Sequence, residues 1–280
     1  MKRIAALDGL RGILALIVVL DHAAGMSAAA DAGGLARRVL VTLLSNLGGL
    51  AVIAFFAMSA HVLTRAWDGN FRTFLARRAI RLWPVYALCL AAGYALSRQT
   101  PRWLEFAWYP VASSLSDPPS WSLCVEAWAM LFMPIIVWCG TGARWRLAAG
   151  TAAWLGLTLL DIKFVMGGCF LLGAALSRFQ PRFAPLESAG AQWLGKISYS
   201  LYLSHWLVLS AANMAFGPTA AIPAIPAALL AGWAIWWAVE RPSIALSRRV
   251  GRRVGLGLPP AQIVPRQSIF VMAGNARTTL

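Results

Sequence analysis

The chain has 280 residues, 59% of them hydrophobic and 12% charged, with a mean hydropathy of +0.65. Soluble domains carry roughly 25% charged residues, so this composition excludes a soluble protein and predicts an all-α, polytopic membrane helix bundle. The formal charge of +15 comes with no soluble module that could present a basic face, so no nucleic acid is expected as partner, and the excess Lys and Arg is read as orienting the chain in a lipid bilayer.

A membrane-spanning helix needs about 20 apolar residues. About eight candidates follow in order: Ile4–Ala24, Leu43–Thr64, Ala79–Ser97, Trp121–Cys139, Leu147–Leu160, Phe164–Leu176, Ile197–Phe216 and Ile222–Val239. With both termini in the cytoplasm, 19 Lys and Arg fall inside and five outside, Arg11 lying within a helix. This asymmetry fits the positive-inside rule. Residues 1–242 are read as one membrane-embedded domain. Residues 243–280, rich in Arg, Gly and Pro without an apolar period, are read as a flexible basic cytoplasmic tail. The N-terminus has some features of a cleavable signal, but Asp8 and Arg11 interrupt the apolar run, so retention is expected. The four cysteines lie in apolar segments without a metal-ligand pair, and no metal is expected.

The first span holds Arg11 and His22, eleven residues and nearly three turns apart, on one face with Asp8 on or near the same stripe. An arginine snorkelling beside Asp8, with a histidine at the interface, is one reading. A functional pair is the other, favoured because an Arg or Asp well inside a bilayer costs about 2.5–3.5 kcal/mol even on the lenient insertion scale.

Arg77, Arg78 and Arg81 stand at the mouth of the third span, where they either anchor it or clamp phosphate. Trp103, Trp108 and Tyr109 precede the fourth, as an aromatic belt or a platform for sugar rings. The fourth opens with Asp117-Pro-Pro-Ser-Trp-Ser-Leu-Cys-Val-Glu126, with Ser122 and Glu126 on one face. Glu126 is expected at the depth of His22, where a carboxylate and an imidazole can form a base and its orienting partner. In the seventh span Ser198, Tyr202 and His205 share a face at i, i+4, i+7 spacing, as hydrogen-bond glue or as site residues. His61 is read as an interfacial residue outside the site.

Six segments then come in a telling order: Leu7-Asp8-Gly9-Leu10-Arg11-Gly12 with His22; Phe55-Phe56-Ala57-Met58-Ser59; the arginine run ending Trp83-Pro84; Trp121-Ser122-Leu123-Cys124-Val125-Glu126; Phe170-Leu171-Leu172-Gly173; and Ile197-Ser198-Tyr199-Ser200-Leu201-Tyr202-Leu203 with His205. Together they resemble the acyltransferase-3 family of bacterial membrane O-acyltransferases, over about Ile4 to Pro242. The resemblance implies an acyl-CoA donor, usually acetyl-CoA, used as substrate with no resident cofactor. It implies acceptors such as lipopolysaccharide O-antigen, exopolysaccharide or related glycans, and a location in the bacterial inner membrane. It also implies that Arg11 and His22 are the family's Arg-x10-His pair, that Arg78 and Arg81 match its Arg-x-x-Arg motif, and that Glu126 matches its motif glutamate. The chain departs from the family in length, with about 70 residues between Glu126 and Ile197 where relatives carry two more helices, and in Ala60-His61 and Ala127.

The expected mechanism has Arg78 and Arg81, with Arg77 beside them, holding CoA phosphates while the pantetheine arm passes Arg11. His22, oriented by Glu126, then acts as general base on an acceptor hydroxyl. No Gly-x-Ser-x-Gly elbow suggests a serine acyl-enzyme, so direct transfer is expected. The competing classes are a glycan transporter or flippase, disfavoured by the lack of internal repeats, and a non-catalytic accessory subunit, disfavoured by Arg11, His22 and Glu126.

Overall fold

A computed structural model describes residues 4–28, 34–100, 117–160 and 162–255. Among these the chain is wholly helical, as expected, with no strand. Trp103, Trp108 and Tyr109 lie outside the described residues.

The long helices come first: α1 (Ala5–Ala28), α2 (Leu35–Ala66) and α3 (Phe71–Ser97). Short ones follow: α4 (Trp121–Leu131), α5 (Met133–Thr141), α6 (Arg144–Leu160) and α7 (Gly167–Ala175). The chain closes with α8 (Ala189–Phe216), α9 (Ile225–Ile235) and α10 (Arg241–Gly255). Side-chain caps define two starts: Asn70 accepts from the Thr73 amide before α3, and Ser188 from the Ala191 amide before α8.

Helices occupy all eight predicted spans, yet among the described residues only α1, α2 and α3 are long and apolar enough to cross a membrane by length and composition. The α4–α5 pair, bent by 71° at a break beside Pro134, makes a fourth if it is one span. The other segments fall short for different reasons. Helices α6, α7 and α9 have 17, 9 and 11 residues. Helix α8 has 28, but its serines, Gln192, Lys196 and His205 dilute its hydropathy.

The reading of residues 243–280 as a flexible tail is corrected for its first part. Residues 243–255 belong to α10, which continues from α9 through a π-helical turn at Trp236–Glu240 and packs on α3. Its buried stripe includes Ser243 and Ser247, and the Ser247 hydroxyl donates to the Arg77 carbonyl at 2.8 Å. Helical periodicity is present, but serines carry it where a hydropathy reading looks for apolar side chains.

Helices α1 and α8 run side by side in the same direction, with Asp8 against Gly195, Arg11 against Ser198 and His22 against His205. Small residues allow this closeness. A β-carbon on Gly12 would collide with the Gly195 backbone, and one on Gly195 with the Asp8 carbonyl. Helix α7 docks on α2 likewise, where a β-carbon on Gly173 would collide with the Ala57 carbonyl. The motif segments therefore pack against one another in pairs. The largest core cluster joins α1, α2, α3, α4 and α8 through residues such as Val18, Val85, Tyr86, Leu90 and Leu203, and the site lies beside it.

Candidate functional site

Three side chains on one face of α8 each bond to a residue of another motif. Arg11 Nε donates to Ser198 Oγ at 2.9 Å, the Ser122 and Tyr202 hydroxyls meet at 2.9 Å, and His22 Nδ1 lies 2.8 Å from His205 Nε2. Because Ser198, Tyr202 and His205 recur at helical spacing, the three contacts form rungs along α8.

The first rung is multidentate. Arg11 Nη2 also donates to the Gly195 carbonyl at 3.2 Å and reaches Asp8 Oδ1 at 3.4 Å. A planar guanidinium can hold these acceptors at once, which a lysine cannot. The second rung is sealed by the Pro119 carbonyl, within 3.2 Å of Ser122 Oγ and 3.3 Å of the Tyr202 hydroxyl. Phe55 packs edge-on against Tyr202.

Beside the first two rungs is a narrow cavity of about 120 Å³, lined by Asp8, Arg11, Ser59, Arg78, Arg81, Ser122, Glu126, Ser198 and Tyr202 among others. It adjoins a wider chamber of about 650 Å³, with which it shares Leu7, Asp8, Arg11, Val62 and Arg81. Six cations line the wider chamber: Arg11, Arg65, Arg81, Lys196, Arg241 and Arg248. Beside them sit His61 and Glu240, the latter buried in the π-helical turn and accepting the Ser200 hydroxyl at 2.6 Å.

Ten of the eleven sequence-derived site residues gather here. Arg11, Asp8, Arg78, Arg81, Ser122, Glu126, Ser198 and Tyr202 line the narrow cavity, and His22 and His205 form the third rung. Arg77 is the exception, lying outside both cavities and reaching Asp68 at 3.8 Å with both side chains well exposed. The pairing expected between Glu126 and His22 does not form. Glu126 instead accepts the Ser59 hydroxyl at 2.5 Å, among the arginines. The cause is helix register. Ser122 already meets Tyr202, one rung short of His205, and Glu126 lies a further turn toward Arg11.

Ser59, Glu240 and four cations of the wide chamber, Arg65, Lys196, Arg241 and Arg248, are site residues that no single motif points to. Ser59 closes the Phe55-Phe56-Ala57-Met58-Ser59 segment, so its hydroxyl is a usable signal. Arg248 falls in the segment read as a tail, and His61, read as interfacial, lines the wide chamber.

The sequence model of the acyltransferase-3 family, described as an acyltransferase domain, matches residues 4–189. The chain belongs to this family. No curated protein and no solved structure matches it. The matched region supplies Arg11, His22 and Ser122, while their partners Ser198, His205 and Tyr202 come from α8, which follows it.

Proposed function

We propose that this membrane acyltransferase moves an acyl group, acetyl in the simplest case, from cytoplasmic acyl-CoA to a hydroxyl of a carbohydrate at the opposite face of the bacterial inner membrane. The observation that carries the reading is the pair of adjoining chambers, one wide and cationic, the other narrow and lined by hydroxyls together with Arg11, Arg78 and Arg81. A donor with a bulky polyphosphate head and a slender thioester arm matches that profile. Guanidinium forks suit its phosphates, and Arg81, shared by both chambers, would sit where head and arm join. Glu126 and Asp8 supply countercharge to the arginines, and Arg11 positions the arm.

In the transfer step the acceptor oxygen bonds to the thioester carbon and the carbon–sulfur bond breaks. The hydroxyl proton passes to His22 and from there to the departing sulfur, leaving CoA as a free thiol. The carbohydrate acceptor rests on the motif resemblance. The test is mass spectrometry of surface glycans from a deletion strain carrying wild type or His22→Ala at matched membrane levels. Loss of an acyl mass on deletion, restored by wild type alone, is the expected result. Full restoration by His22→Ala would overturn the assignment of the base.

A further inference from the structure

Two observations at the third rung fix where protons sit. The His205 ring is fully buried, and its Nδ1 lies 3.1 Å from the Leu201 carbonyl oxygen. A carbonyl can only accept, so that nitrogen carries the hydrogen and Nε2 of the neutral ring is left as an acceptor. His22 Nδ1 lies 2.8 Å from that acceptor, so it must be the donor. The ring centroids are 5.1 Å apart with planes within 10°. That separation is close to the greatest so short a nitrogen–nitrogen contact permits, so the rings meet edge to edge and nearly coplanar, as an in-line hydrogen bond requires. Trp206 packs edge-on against His22 from α8 and limits rotation of the ring.

The geometry points to His205 as the residue that sets the tautomer of His22, in a chain running from Nδ1–H of His22 to His205 and from His205 to the Leu201 carbonyl. His22 Nε2 is thereby the nitrogen with the free lone pair, and it has no hydrogen-bond partner among the described residues. His205 does what a carboxylate does beside many catalytic histidines, without bringing a charge into the bundle. Among the described residues no carboxylate takes its place. Glu126 is engaged by Ser59, and Asp21, next to His22 in sequence, lies against α2 at Gly48. His205 is a positioning residue that touches no substrate.

This rests on His22 being the base, and the experiment separates the two claims. The chain has three histidines, so nitrogen-15 histidine spectra of the full chain in nanodiscs resolve each ring, with His22 assigned by its loss in His22→Gln. The expected wild-type spectrum has His22 protonated on Nδ1 and bare on Nε2. A proton on Nε2 overturns the inference. CoA release is then followed for His205→Gln, whose side-chain oxygen can still accept from His22, and for His205→Leu, which cannot. The Gln variant should stay within about fivefold of wild-type kcat, and the Leu variant should fall by about 100-fold with the donor KM unchanged. Equal losses in both variants, or a shift confined to KM, would overturn the positioning role. A wild-type protein that releases no CoA overturns the acyl-transfer reading instead, and the nitrogen spectra still decide the tautomer.

Discussion

Gly12 of α1 and Gly195 of α8 lie in contact, with no room for a side chain on either. This crossing brings the Arg11 guanidinium within 3.2 Å of the Gly195 carbonyl and 2.9 Å of Ser198 Oγ. Gly12→Ala should therefore force the two helices apart and cost about 1–3 kcal/mol, the usual range for overpacking. Gly25→Ala, later in the same helix with nothing within 4 Å of a β-carbon, should leave stability unchanged or slightly higher. Thermal unfolding of both variants in one detergent makes the comparison, and equal midpoints would refute it.

Arg77, Arg78 and Arg81 of α3 should separate by function. Arg78→Ala and Arg81→Ala remove cations from the narrow cavity and should raise the donor KM about tenfold or more, as loss of a charged hydrogen bond does. Arg77→Ala removes an exposed contact to Asp68, of a kind that contributes about 0–1 kcal/mol, and should leave KM within about twofold. Steady-state CoA release over a range of donor concentrations reads all three.

Arg11→Lys keeps the charge but cannot hold Ser198, the Gly195 carbonyl and Asp8 together. Transfer should drop about 10–100-fold, the equivalent of one or two charge-assisted bonds. Ser198→Ala, which leaves the arginine its other acceptors, should cost less. If the two variants prove equally impaired in single-turnover assays, the multidentate role of Arg11 is wrong.

Ending the chain at Glu240 removes Arg241, Ile244, Ala245 and Arg248 from the wide chamber along with the Ser247 bond to α3. The shortened protein should insert but bind acyl-CoA at least about tenfold more weakly, by analogy with losing charged partners elsewhere. Titration with a fluorescent acyl-CoA analogue measures this, and undiminished affinity would show that α10 is dispensable for the donor.

The sequence made faces legible and left neighbours hidden. Spacing put Arg11 with His22, and Ser198 with Tyr202 and His205, because 3.6 residues per turn settles what shares a face. It could not say that these two faces meet each other, because that depends on Gly12 and Gly195, which read as ordinary motif glycines. The depth of Glu126 is hidden in the sequence for a related reason. A count of residues from the start of α4 does not reveal that Ser122 meets Tyr202 below the level of His205. Helix α10 escaped notice because Ser243 and Ser247 form its buried stripe.

The rungs along α8 also bear on how such a chain can change over evolutionary time. Arg11, Ser122 and His22 come from the part that defines the family, and each depends on a partner encoded after residue 189. A recombination event at that boundary would have to reunite three complementary pairs at once, along with the glycine contact that sets their alignment. The two stretches of gene are thus bound to diversify together, and new acceptor preferences would be easier to acquire in loops that none of the rungs constrains.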